Sequence, residues 1–139
     1  MSLQSLVPVL LGLQFAAFGW RINREIEVGD QNRRTWLPVS DYVNIVSLLL
    51  VVFLCIVWPL ATGEFSRVAK TALAIGYTLV ALHPINVAAH YRLFSKAGRG
   101  IYLKTPGGDY PYVTDQEAIS LAISLVVATM AGWSVWYGA

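Results

Sequence analysis

Charge is scarce in this 139-residue chain, and it is missing in blocks. No Asp, Glu, Lys or Arg occurs from Met1 to Trp20, from Tyr42 to Gly63, from Thr71 to Tyr91 or from Ala118 to Ala139. Charged residues make up 13% of the chain, against roughly 25% in soluble domains. Each charge-free run approaches the ~20 residues that carry a helix across ~30 Å of hydrocarbon. A soluble bundle would repeat a polar face every 3.6 residues, and "LLLVVFLCIVWPL" (Leu48 to Leu60) has none. The hydropathy predicts an all-α, multi-pass integral membrane protein whose first partner is the lipid bilayer.

Other shortages narrow the chemistry. Cys55 is the only cysteine, so no intrachain disulfide can form, and mid-span it reads as a small hydrophobe. The start, "MSLQSLVPVLLGLQ", lacks a basic n-region and no A-x-A site follows, so the first apolar run is expected to be a retained span. Two histidines are present, His83 and His90, about 10 Å apart along one helix axis. They cannot both ligate one haem, and Met1 and Met130 are poorly placed as substitutes. The acids are read as confined to loops and helix ends, whereas a zinc site wants three or four clustered ligands. Neither metal nor cofactor is expected. The net charge of +2 is spread over several loops, not along one face, which argues against nucleic acid.

What is present organises residues 1–139 as one transmembrane domain. Four helices are predicted at about Leu3–Trp20, Asp41–Ala61, Arg67–Phe94 and Asp115–Tyr137, forming a compact four-helix bundle. Ser40 is the expected N-cap of helix 2 and Gly63 closes it. Thr114 and Glu117 have the spacing of a capping box for helix 4. Loop 21–40 and residues 91–114, the latter being the end of helix 3 and loop 95–114, hold eight basic residues, against Arg67 and Lys70 in loop 2 and the start of helix 3 (62–70). The positive-inside rule then puts both long loops in the cytoplasm and both termini outside, in a cell or inner membrane. Arg21, Arg24, Arg33, Arg34, Arg99 and Lys104 form the expected cytosolic basic cap, suited to lipid headgroups. Loop 1 can be a short hairpin or a helical extension. "TPGGD" in loop 3 is a turn signal and lacks the P-loop pattern.

Small residues at four-residue spacing mark helix-packing faces in lipid. Ser120, Ser124, Ala128 and Gly132 form one such stripe on helix 4, with Ala72 and Gly76 on helix 3 and Gly12 and Ala16 on helix 1. They serve contacts within the chain or a homo-oligomer. The most unusual stretch is "ALHPINVAAHYR" (81–92). His83, Asn86 and His90 fall within about 60° of one another on helix 3, and Pro84 should kink it. With Arg92 they make either a polar vestibule or a hydrogen-bonded seam. Two functions are open. One is a non-enzymatic membrane module: a homo-oligomeric channel or transport component, or a sensing or anchoring subunit beside partner membrane subunits. The other is a membrane-embedded enzyme for a lipophilic substrate at the cytosolic face, with His90 as acid or base and loop arginines binding an anionic group.

Overall fold

The computed structural model describes the backbone of residues 3–32, 37–91, 93–94, 100–105 and 108–138, and the side chains of 4–27, 37–91, 93–94 and 113–138. Four helices follow the charge-free runs, and each is long and apolar enough to cross a membrane. They are α1 (Leu6–Asn32), α2 (Val39–Thr62), α3 (Arg67–His90) and α4 (Asp115–Gly138). Between α3 and α4 an antiparallel hairpin pairs β1 (Gly100–Thr105) with β2 (Gly108–Thr114). "TPGGD" joins these strands, and its residues 106 and 107 lie outside the described ones.

Helix α1 does not end at Trp20 as predicted but continues to Asn32, the helical extension and not the hairpin of the two readings of loop 1. The apolar run stops at Trp20, but nothing there stops a helix. "RINREIE" has neither glycine nor proline, and Arg21 and Glu25 pair one turn apart at 2.9 Å. Arg21 to Glu27 therefore belong to a helix and not to loop 1. The start of α2 also shifts. Pro38 is its N-cap, without a side-chain cap bond, and Ser40, the expected cap, is a buried residue of the first turn. Helix α3 ends at His90 rather than Phe94 and runs through Pro84 without a break.

Local chemistry explains the remaining boundaries. Pro59 has no N–H for the Cys55 carbonyl and its ring crowds that oxygen. The preceding turn, Phe53–Val57, widens into a π-helix in which the Trp58 N–H reaches Phe53, the usual way a helix absorbs such a mismatch. Gly63 ends α2 at φ 75°, a left-handed conformation that a residue without Cβ adopts freely. Ser66 caps α3 by accepting from the Ala69 N–H at 3.2 Å. Thr114 caps α4 as expected, accepting from Glu117 N at 3.0 Å.

Helix α3 lies at the centre, touching α1, α2 and α4, while α4 packs chiefly along α3. The apolar core gathers Val7 and Leu10 of α1, Val51 and Cys55 of α2, and Ala69 and Leu73 of α3. Gly76 makes this approach possible: a Cβ there would lie 2.8 Å from Leu10 Cδ2 and 3.0 Å from Val51 Cγ2. Ser124, Ala128 and Gly132 of α4 are buried, and a Cβ on Gly132 would lie 2.8 Å from Ile75 of α3. The small stripe of α4 is thus filled from within the chain. Large apolar side chains cover the outside, among them Phe15, Leu49, Leu60, Val126 and Trp133, whereas Arg21, Asp41 and Glu117 are 0–1% exposed. The arrangement reverses that of a soluble bundle.

Packing at Gly12 of α1 and Gly76 of α3 has opposite consequences for substitution. Gly76→Val should destabilise the fold by about 1–3 kcal/mol through overpacking. At Gly12 a Cβ would meet nothing within 4 Å, so Gly12→Ala should gain up to about 1 kcal/mol from helix propensity. Reversible unfolding in mixed micelles, followed by circular dichroism, measures both.

Candidate functional site

The polar side chains of the interior converge where α1, α2 and α3 meet. Arg21 is fully buried and each nitrogen of its guanidinium has a partner. Nε donates to Asp41 Oδ2 at 2.9 Å, Nη2 to Glu25 Oε1 at 2.9 Å, and Nη1 to the Tyr91 hydroxyl at 2.8 Å. The Tyr91 hydroxyl in turn donates to Glu25 Oε1 at 3.3 Å. The second oxygen of Asp41 lies 3.3 Å from His83 Nε2. That contact is an ion pair when the His83 ring is protonated. The result is a charge-assisted chain, Glu25–Arg21–Asp41–His83, drawn from three helices.

Local sequence sets each member. The unbroken helix of α1 brings Arg21 and Glu25 to one side, one turn apart. Pro38 starts α2 early enough that Asp41 lies in its first turn, where a carboxylate suits the positive end of the helix dipole. On α3, His83 precedes Pro84, and Tyr91 caps the C-terminus with its N–H on Val87 at 3.2 Å.

A second set of bonds ties α4 to the same end of the bundle. His90 Nδ1 lies 2.7 Å from Glu117 Oε2, and Glu117 Oε1 accepts the Val39 N–H at 2.9 Å. The Thr114 hydroxyl, besides capping α4, donates to the Ala89 carbonyl at 2.9 Å. Glu117 thus makes half of the expected capping box with its N–H, while its carboxylate joins the starts of α2 and α4 to the end of α3. One turn deeper, Ser124 Oγ lies 3.1 Å from Asn86 Oδ1.

Three buried atoms beside the ionic chain have no hydrogen-bond partner among the described residues: Gln14 Oε1, Asn44 Oδ1 and His83 Nδ1. Gln14, Asp41, Asn44 and His83 border a partly open cavity of about 100 Å³ whose wall is almost wholly apolar, with Phe15, Phe18 and Leu48 in its lining, and the three orphaned atoms expose almost no surface to it. On its other side His83 lines a wider groove of about 710 Å³ between α1 and α3, with Trp20, Arg24, Pro84 and Tyr91. His83 therefore borders both the small cavity and the wider groove.

Several residues that the sequence singles out are relocated by the fold. His83, Asn86 and His90 do share a polar face of α3, and its partners come from two helices: Asp41 of α2, and Ser124 and Glu117 of α4. Arg21, assigned to the basic cap, is an interior residue of α1; its guanidinium is consumed by Asp41, Glu25 and Tyr91. Arg24 is exposed and lies 3.6 Å from Glu27. Arg33, Arg34, Arg92 and Arg99 lie outside the described residues, as does the side chain of Lys104 in β1. Ser120 and Ala72 are half-buried and Gly76 is buried. Sequence reasoning missed Gln14, Glu25, Asp41, Tyr91 and Glu117. The (i, i+4) pair Arg21/Glu25 was the available signal, hidden by ending helix 1 at Trp20. Among the described residues no three His, Cys, Asp or Glu side chains gather as metal ligands.

Comparison with protein-family models, curated proteins and solved structures finds no match for this chain.

Removing one partner of a buried ion pair strands the other charge, at a cost of about 3–5 kcal/mol. Arg21→Met and Asp41→Leu should each fall in that range. Their double variant should lose less than the sum, with a coupling of about 0.5–3 kcal/mol. Arg24→Ala, at an exposed pair, should change stability by under about 0.5 kcal/mol. A double-mutant cycle in the same unfolding assay reads all four values.

Proposed function

We propose that the chain is a four-span integral membrane protein without catalysis of its own, a channel or transport component whose working element is the Arg21–Asp41–His83 network. The observation that supports this most is the complete burial of Arg21 and Asp41 inside a bundle with an apolar exterior. Replacing a buried ion pair by well-packed hydrophobes is often neutral or stabilising, so stability alone is a weak reason to keep one. Ionisable groups within spans mark substrate paths, ion paths and proton relays. Here the network lies beside a small cavity and, at His83, a wider groove.

Orientation and assembly belong to the same proposal. With Arg21 set aside as a paired interior residue, seven basic residues (Arg24, Arg33, Arg34, Arg92, Lys96, Arg99, Lys104) still face two (Arg67, Lys70) across the spans. Loops 1 and 3 are then cytoplasmic and both termini outside. The groove beside His83 opens at the cytoplasmic end. Assembly with copies of the chain or with other membrane subunits would use a face other than the α4 stripe, which α3 fills.

The enzymatic alternative has one observation in its favour. Glu117 holds His90 Nδ1 at 2.7 Å, the way a carboxylate orients a general base. Against it, the buried arginine nearest that region already has two carboxylates and a phenol as partners and no exposed surface for an anionic substrate to reach.

Reconstitution into liposomes tests the reading. Wild-type protein should dissipate an imposed cation or proton gradient, and Asp41→Asn or His83→Ala should slow that flux about tenfold or more. Absence of flux from a well-folded wild type contradicts the transport reading. Turnover of a lipophilic substrate that disappears in His90→Ala would favour the enzyme instead. For orientation, Glu64→Cys and Thr105→Cys, each in a Cys55→Ala background, should react with an impermeant maleimide from the outer and the cytoplasmic side respectively.

A further inference from the structure

We propose that the groove between α1 and α3 holds an acyl chain of an anionic phospholipid, with the lipid phosphate on Arg24. The site rests on the membrane-spanning reading above, and its leaflet on the orientation; it does not need the transport reading.

The sequence itself shapes the groove. Where Leu10 of α1 meets Gly76 of α3, a Cβ on the glycine would lie 2.8 Å from the leucine, so nothing fits between the helices. Toward the other end the lining changes. Ala17 of α1 and Pro84 and Ala88 of α3 leave a space of about 710 Å³ between the same two helices, within the range of ligand pockets. Trp20 and Tyr91 line it as well and are 61% and 40% exposed. Such rings collect at the boundary between hydrocarbon and water.

Charge narrows the occupant. Among the described residues, Arg24 is the one Asp, Glu, Lys or Arg in the lining; Glu25 and Asp41 of the buried network do not line it. The Tyr91 hydroxyl is spent on Arg21 and Glu25. Arg24 lies 3.6 Å from Glu27, and both side chains are exposed, which makes the pair weak. A phosphate is the better partner, because a guanidinium can meet it with two parallel N–H donors. A zwitterionic headgroup cancels most of that attraction with its own cation, and an anionic one does not.

Length separates a lipid from a protein partner. At 1.5 Å per residue, α1 rises about 10 Å from Ala17 to Arg24, and α3 about 12 Å from His83 to Tyr91. One leaflet of hydrocarbon is about 15 Å deep, half of ~30 Å. A groove with a cation toward one end and an apolar wall for most of one leaflet fits a lipid. A partner's membrane-crossing helix would need a track through both leaflets, and the contact of Leu10 with Gly76 closes this one. In the orientation proposed above the leaflet is the cytoplasmic one, whose anionic lipids attract basic side chains.

Photo-crosslinking tests the site. The full chain is reconstituted in phosphatidylcholine vesicles that carry a minor fraction of a phospholipid with a diazirine in its acyl chain. The probe has either a phosphatidylglycerol or a phosphatidylcholine headgroup, and adducts are mapped by mass spectrometry. The phosphatidylglycerol probe should label residues 17–20 and 84–88 about fivefold more than the phosphatidylcholine probe. Arg24→Gln, at an exposed position, should leave the fold intact and abolish that preference. Ala88→Phe, which fills the groove, should reduce labelling there by both probes and leave it unchanged at the exposed Leu49 and Val126. Equal labelling by the two headgroups, or a preference that survives Arg24→Gln, would overturn the inference. So would adducts at Leu49 and Val126 with none in the groove, the pattern of a face covered by a second copy of the chain. Adducts nowhere would contradict the membrane-spanning reading, and the site with it. Reversed maleimide labelling would overturn the orientation and keep the site.

Discussion

A guanidinium cannot shed its charge inside a protein, so a fully buried Arg21 must bring its counter-ions with it. This requirement arranges the interior. Glu25 supplies one carboxylate from the same helix, which holds α1 helical past the point where its apolar run ends. Asp41 supplies another from the first turn of α2 and thereby sets where α2 begins against α1. Tyr91 and His83 fasten α3 to the same group, directly and through Asp41. Desolvating these charges costs several kcal/mol per ion even after relaxation, so the chain must recover that through the partners it assembles.

Helix α3 shows how the polar and apolar contacts divide the labour. Near one end, Gly76, Leu73 and Ala69 bring it close to Leu10 and Val51 in a core of apolar side chains. Near the other, His83, Asn86 and His90 exchange that packing for bonds to Asp41, Ser124 and Glu117. Helices in lipid gain little from hydrophobic burial against one another, so close contact and directed bonds fix their register. The polar end is also where a small cavity and a wider groove both border His83. A proline at position 84 suits this place, since it removes a backbone donor just where side chains offer alternatives.

The four long apolar helices were legible because the length that crosses hydrocarbon and the exclusion of charge from it are strong constraints. "LLLVVFLCIVWPL" has no reading but a buried or lipid-facing helix, and the Thr114 cap of α4 follows from spacing. The polar face of α3 was visible from the periodicity of His83, Asn86 and His90. Its partners were not. Asp41 and Glu117 sit at helix starts, where a carboxylate usually faces water, and only the tertiary arrangement turns them inward. Arg21 was hidden for a related reason: charge ends an apolar run but does not end a helix, so hydropathy assigned to a loop a residue that the fold buries. The hairpin of β1 and β2 showed only its "TPGGD" turn, because short strands carry little periodic signal.

Everything at the polar end depends on Arg21 and Asp41 meeting inside the bundle when the protein is in a bilayer. Solid-state NMR of the chain in lipid, with ¹⁵N-arginine and ¹³C-aspartate, measures that contact directly through dipolar dephasing. A direct ion pair with Nε 2.9 Å from Oδ2 predicts strong dephasing of one aspartate carboxyl, abolished in Arg21→Met. An undiminished carboxyl signal, or dephasing that survives that substitution, would contradict it.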